Sequence, residues 1–160
     1  MAKVSLPEEA VTYQIANDLG SKLWEKGKYE ESKVFYLAAL EGQRRVLGEE
    51  HKKTLDSLNN MGVLLYNMKD YEGALGYYEQ VLQVQEKVLG KTHPDTLQTI
   101  MNMGVTYGDG LKDFVKTEEM FRHALDGFEK ALGKDHEDTR HCAENMAKLL
   151  GFEMKVKEST

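Results

Sequence analysis

The sequence predicts an all-α fold of three stacked helical hairpins closed by a seventh, capping helix. Two observations carry this. Leu47-Gly48 recurs as Leu89-Gly90 and again as Leu132-Gly133, at spacings of 42 and then 43 residues. Apolar residues recur at helical spacing, with no sustained strand alternation, and only Pro7 and Pro94 interrupt them. A period of this length marks tandem helix pairs, each unable to bury its apolar face alone.

Three further markers hold the same register. They are Thr12, Thr54, Thr96 and Thr139; Gly20, Gly62, Gly104 and Ala147; and Tyr29, Tyr71 and Phe114. Together they set the first repeat at about 9–50, the second at about 51–92 and the third at about 93–135. The capping helix is expected at about 136–151, with a disordered tail over 152–160, all in one domain of 160 residues. The third repeat carries its one extra residue within "TYGDGLKDF".

Each repeat presents two apolar stripes. In the first, Ala16, Leu19 and Leu23 are followed by Tyr29, Tyr36, Ala39, Leu40, Val46 and Leu47. In the second, Leu55, Leu58, Met61, Leu65 and Met68 precede Tyr71, Ala74, Leu75, Tyr78, Val81 and Leu82, and "QVQEKVLGK" extends the helix. In the third, Leu97, Ile100, Met103 and Tyr107 precede Phe114, Phe121, Ala124, Leu125, Phe128 and Leu132. The helix ends are also signalled. Leu89-Gly90 pairs a last-turn apolar residue with a glycine suited to a positive φ. In "KTHPDT", Thr92 or His93 can cap, Pro94 suits the first turn, and Asp95 faces the positive end of the dipole.

A glycine inside a helix, such as Gly104, costs about 1 kcal/mol relative to alanine. Close approach of the second helix of each pair offsets this through burial and dispersion. Ser32, Ala74 and Thr117 are the small residues expected opposite. Arg140 stands where Leu55 and Leu97 stand in earlier repeats, as a polar outer face on a capping helix requires.

Composition bounds the function. Hydrophobic residues make up 41% and charged residues 30%, which is the balance of a globular chain. A net charge of −6 argues against a nucleic-acid partner. Cys142 is the only cysteine, so an internal disulfide is excluded and a reducing, cytoplasmic setting is expected. No run approaches the roughly 20 apolar residues of a membrane helix, and "MAKVSLPEEA" has no signal-peptide core. A membrane partner is therefore not expected.

The pattern resembles the tetratricopeptide repeat family, in the 42-residue form of kinesin-light-chain-like and nephrocystin-like repeats. The residues that carry the likeness are "LNNMGVLLYNMKDYEGALGYYEQVLQVQEKVLGKTHPDT", Leu58 to Thr96, with "ALGKDHEDT" at the end of the next unit. The resemblance implies a right-handed solenoid and a non-enzymatic interaction scaffold or adaptor. Its first helices would line a concave groove that takes an extended peptide.

Helix geometry names the groove positions, about a quarter turn from the packed stripe. They are Gln14, Asn17, Asp18, Ser21 and Glu25; Asp56, Asn59, Asn60, Val63 and Asn67; Gln98, Met101, Asn102, Val105 and Asp109; and His141, Glu144, Asn145 and Lys148. Asn60, Asn102 and Asn145 share a register with Asp18. Amides supply both donors and an acceptor, which suits the N–H and C=O of an extended main chain. The resemblance agrees, since kinesin-light-chain-like repeats use similar groove asparagines. The alternative is that these amides bond neighbouring turns or the next repeat.

Groove charge favours a neutral or basic segment, because Asp18, Glu25, Asp56, Asp109 and Glu144 outnumber Lys148. Chaperone-binding repeats clamp a carboxylate with lysines and arginines from this face, and no such set is present. His123, His136, His141 and Cys142 lack the paired spacing of a metal site, so no metal or other cofactor is expected. Cys142 has no predictable base and reads as a packing residue. Trp24 reads as a core or inter-repeat contact. No catalytic constellation is found. The outer face of the first helix, near Val11 and Ile15, would stack on a second copy to give a homodimer or on further repeats of a longer protein, and the alternative function is a structural assembly module that associates through solenoid ends.

Overall fold

The computed structural model describes residues 8–158, with side chains over 12–149 and at 151. Among these residues there are seven α-helices and no strand. They are α1 (Glu8–Glu25), α2 (Tyr29–Leu47), α3 (Lys52–Asn67), α4 (Tyr71–Val88), α5 (Pro94–Val105), α6 (Phe114–Leu132) and α7 (Glu137–Glu158). A π-helical turn, Thr106–Leu111, follows α5 directly. The chain divides into two compact units, Met1–Tyr77 and Tyr78–Thr160.

In the first unit α1 packs on α2, and α2 on α3. The glycine register explains how. A Cβ on Gly20 would stand 2.6 Å from the Tyr36 ring, and the Ser32 hydroxyl donates to the Gly20 carbonyl at 2.7 Å. At the far end Gly42 lies against the Tyr13 ring. Contacts that join the end of one helix to the start of the next make the pair antiparallel. Tyr36, Met61 and Leu64 are buried together, with Tyr29, Met68 and Tyr77 packed around them.

The second unit repeats the arrangement. A Cβ on Gly104 would meet the Phe121 ring at 3.0 Å, and one on Gly127 would meet Leu97 at 2.5 Å. Leu97, Ile100, Met101, Phe121, Ala124, Phe128, Cys142 and Leu149 form the core. Ala147, the fourth residue of the small-residue register, is exposed, with no helix packed over it among the described residues.

The threonine register is a staple. Thr54, Thr96 and Thr139 each donate a hydroxyl to the carbonyl of the preceding glycine, Gly48, Gly90 and Gly133, at 2.7, 2.9 and 2.7 Å. Those glycines have φ of +90°, +96° and +90°. At Gly48 and Gly133 ψ is 168° and 162°. That is an extended region open to glycine, and the positive φ expected at Gly90 is present. Three histidines share the next register. His51, His93 and His136 each accept a backbone N–H through Nδ1, from Lys53, Asp95 and Asp138 at 3.1, 3.1 and 3.2 Å. His93, not Thr92, is thus the cap before Pro94.

The extra residue of the third repeat is absorbed by the π-helical turn, which takes up one residue without breaking the helix. The turn ends at Lys112, φ +59°, in register with Lys69 at +66° and Gly27 at +72°. One boundary differs from expectation. α7 continues to Glu158 and does not stop near 151. After Gly151 the sequence "FEMKVKE" has no proline and is rich in helix-formers. Of the expected disordered tail, residues 159 and 160 lie outside the described residues, as does Val11's side chain.

Candidate functional site

A cleft of about 180 Å³ lies within the first unit, lined by Ser21, Trp24 and Glu25 from α1, Tyr36 from α2, and Asn60 and Val63 from α3. The close approach at Gly20 brings the Tyr36 ring against α1, and packing of α3 on α2 adds Asn60. Four of the groove positions read from the sequence in the first two repeats, Ser21, Glu25, Asn60 and Val63, therefore meet around one opening. Trp24, expected as a core or inter-repeat contact, lies outside the core, beside Asn60 and Val63 of the second repeat. It is 36% exposed and forms a wall of the cleft. The sequence held a signal for it: Asn17, Ser21 and Trp24 follow helical spacing along one stripe of α1.

The other groove residues differ in what they bond. Gln14 Nε2 donates to Asp18 Oδ1 at 3.2 Å. Gln98 Nε2 donates to Asn102 Oδ1 at 3.1 Å. Asn145 Nδ2 lies 3.0 Å from His141 Nε2. Asn17 Oδ1 accepts from Ser57 across to α3 at 3.3 Å. Asn67 Nδ2 donates to the Val63 carbonyl at 2.8 Å. Asn59 Oδ1 is shut off from solvent with no partner among the described residues. Asp56 pairs with Lys52 at 3.4 Å. Asp109 is exposed on the π-helical turn. Met101, expected in the groove, is a core residue at 3% exposure. Among the described residues the Asn60 amide makes no side-chain hydrogen bond.

The remaining titratable candidates are placed for structure. Cys142 is fully buried, its Sγ 3.9 Å from the Phe121 carbonyl. Burial pushes its thiol up to about 11, which suppresses the thiolate. His136 caps α7 and His123 is exposed. Among the described residues no three His, Cys, Asp or Glu side chains gather as a metal set. Among those residues no helix is long and apolar enough to cross a membrane.

Comparison with family models gives a match to the tetratricopeptide repeat over residues 8–51, 54–95 and 96–138, most of the chain. The chain belongs to the tetratricopeptide repeat family. No curated protein matches the sequence significantly. Among solved structures, BtubC (BKLC) from P. vanneervenii aligns with TM-score 0.79 at 20% identity, covering 93% of this chain and 60% of that one. A Podosopora anserina putative kinesin light chain with nearly identical TPR-like repeats aligns with TM-score 0.78 at 18% identity, covering 96% of this chain and 72% of that one. The N-terminal domain of stress-induced protein-1 from C. elegans aligns with TM-score 0.63 at 15% identity, covering 87% and 98%. At these identities the likeness is one of fold. This tetratricopeptide repeat chain spans 60% of the length of BtubC. Tetratricopeptide repeats in general are protein-interaction scaffolds and typically non-catalytic.

Proposed function

We propose that this chain is a non-enzymatic scaffold that binds an extended, neutral-to-basic segment of a partner protein on the first-helix face of its repeats. The reading is supported above all by Asn60. Its register mates Asp18, Asn102 and Asn145 are each tied to the residue four positions before them. The Asn60 amide has no such tie among the described residues and borders an open cleft. An unpaired amide beside an apolar wall can hold one residue of an extended chain through both its N–H and its C=O.

The test uses peptides selected from a random display library on the immobilised protein. In calorimetry Asn60→Ala is expected to weaken the selected peptides by about 1–3 kcal/mol, with helicity unchanged. Asn102→Ala, whose amide is already engaged, is expected to weaken them less. Full affinity in Asn60→Ala rejects the assignment.

A second reading is self-association through α1, favoured by Ile15 and Leu19, one turn apart and both exposed. A concentration-dependent dimer in sedimentation that dissociates in Ile15→Glu would establish it.

A further inference from the structure

We infer that the cleft in the first unit is a specificity pocket for a cationic side chain, arginine above all, carried by the bound segment. The inference rests on the reading that this face takes an extended chain, and names what the chain must present there. Hydrogen-bond accounting carries it. Ser21 Oγ donates its one proton to the Asn17 carbonyl at 3.1 Å. Ser21 Oγ also lies 3.0 Å from the Tyr36 hydroxyl, so Tyr36 must be the donor in that bond. Both hydroxyl protons are then committed inside the protein. The hydroxyl oxygen of Tyr36, which lines the cleft, then has only lone pairs left to offer.

Glu25 lines the same opening, is exposed, and has no ion-pair partner among the described residues. Asn60 Oδ1 adds a third acceptor, and each of the three comes from a different helix. Glu25 also ends α1, where the helix dipole is negative. Trp24 offers an indole surface, and Val63 an apolar contact for an alkyl stem. The lysines nearest in sequence, Lys22, Lys26 and Lys28, do not line the cleft, and Lys28 is paired with Glu31 at 3.0 Å.

A ligand group suited to this lining must donate in several directions, carry positive charge and stack on an aromatic face. A guanidinium does all three, with five donors in a plane. An ammonium satisfies the charge but not the stacking geometry. A carboxylate would meet Glu25 and lone pairs.

Trp24 is the only tryptophan in the chain, so its emission reports on the cleft directly. Tetra-arginine amide is titrated against the protein, with tetra-citrulline amide as the neutral isostere. A saturable change in Trp24 emission is expected with tetra-arginine, at about tenfold higher affinity than with tetra-citrulline. Glu25→Gln is expected to erase that ratio. Glu30→Gln, the same charge change away from the cleft, is expected to leave it. Equal affinity for the two peptides, no saturable response to tetra-arginine, or loss of the ratio in Glu30→Gln overturns the pocket. Asn60→Ala separates this from the scaffold reading. If it weakens both peptides while their affinities are equal, main-chain binding stands and the cation pocket falls. If it weakens neither while the arginine preference persists, binding through Asn60 falls and the pocket stands on Tyr36, Glu25 and Trp24 alone.

Discussion

Replacing Gly48 with alanine isolates backbone conformation from packing. A Cβ at Gly48 meets nothing within 4 Å, so no clash arises. The backbone is nonetheless fixed at φ +90° and ψ 168°. It is held there by the Gly48 N–H, bonded to the Gln43 and Arg44 carbonyls at 3.2 and 3.1 Å, and by the Thr54 hydroxyl on its carbonyl at 2.7 Å. An alanine forced into that region costs about 1–3 kcal/mol. The stiffer unfolded chain returns about 0.4–1 kcal/mol. The net loss is about 0–2.6 kcal/mol, centred near 1.3, or a Tm lower by about 3–5 °C at the centre for a chain of this size. Gly76 is the matched control. It lies within α4, a Cβ there also meets nothing within 4 Å, and its φ is not positive. Gly76→Ala is expected to stabilise by about 1 kcal/mol through helix propensity. Urea unfolding followed by far-UV circular dichroism measures both. If the two variants shift stability in the same direction, backbone conformation does not govern these glycines.

Thr96→Val is expected to lose about 1–2 kcal/mol in the same assay, because it removes the buried hydroxyl bond to Gly90, whereas Thr96→Ser retains it. His93→Ala should cost about 1 kcal/mol by removing the α5 cap, and His93→Asn should restore most of it. Asn59→Leu, which keeps the branched shape and removes an unpaired buried oxygen, should raise stability by about 1 kcal/mol. Cys142 should resist thiol reagents until the chain unfolds. Its thiol is raised from 9.0 to about 11 by burial, so the folded chain keeps a proton there that the unfolded chain releases. That stability contribution is complete below pH 9 and is lost as pH rises toward 11. Cys142→Ala flattens that segment of the pH–stability curve.

Features set by burial and backbone conformation could be read from the sequence. Gly20 and Gly104 recur because aromatic rings, Tyr36 and Phe121, lie against them, and a methyl group would collide. The threonine register recurs because each hydroxyl pairs with a backbone carbonyl at a fixed offset, which periodicity preserves, and the histidine register, visible only in the structure, has the same cause. Even the 43-residue spacing of the third repeat has a local cause in the π-helical turn after Val105. Side-chain pairing was less legible. Nothing in the hydrophobic pattern says that Asn17 reaches Ser57 or that Asn67 folds back onto Val63. Trp24 is not core although a large apolar residue at helical spacing ordinarily is, because it lies in the last turn of α1 beside Gly27 and stays 36% exposed. The end of α7 was misplaced because Gly151 alone is a weak stop when helix-formers follow.

One register shows how a repeat can make a site from near-identical parts. The pairs 14/18, 98/102 and 141/145 each close an i, i+4 hydrogen bond along their own helix. The pair 56/60 occupies the same place and does not. Asp56 accepts from Lys52, one turn toward the start of α3, at 3.4 Å. Gln14 and Gln98 donate an amide N–H to the residue four positions on. Asp56 has no N–H to give, so it cannot copy that bond, and its neighbour Lys52 supplies a charged donor in the opposite direction. At this pair the carboxylate is drawn toward Lys52, and the Asn60 amide, which borders the cleft, is left without a side-chain bond among the described residues. The repeat supplies the scaffold, and departure from its pattern supplies the open amide on which the proposed binding rests.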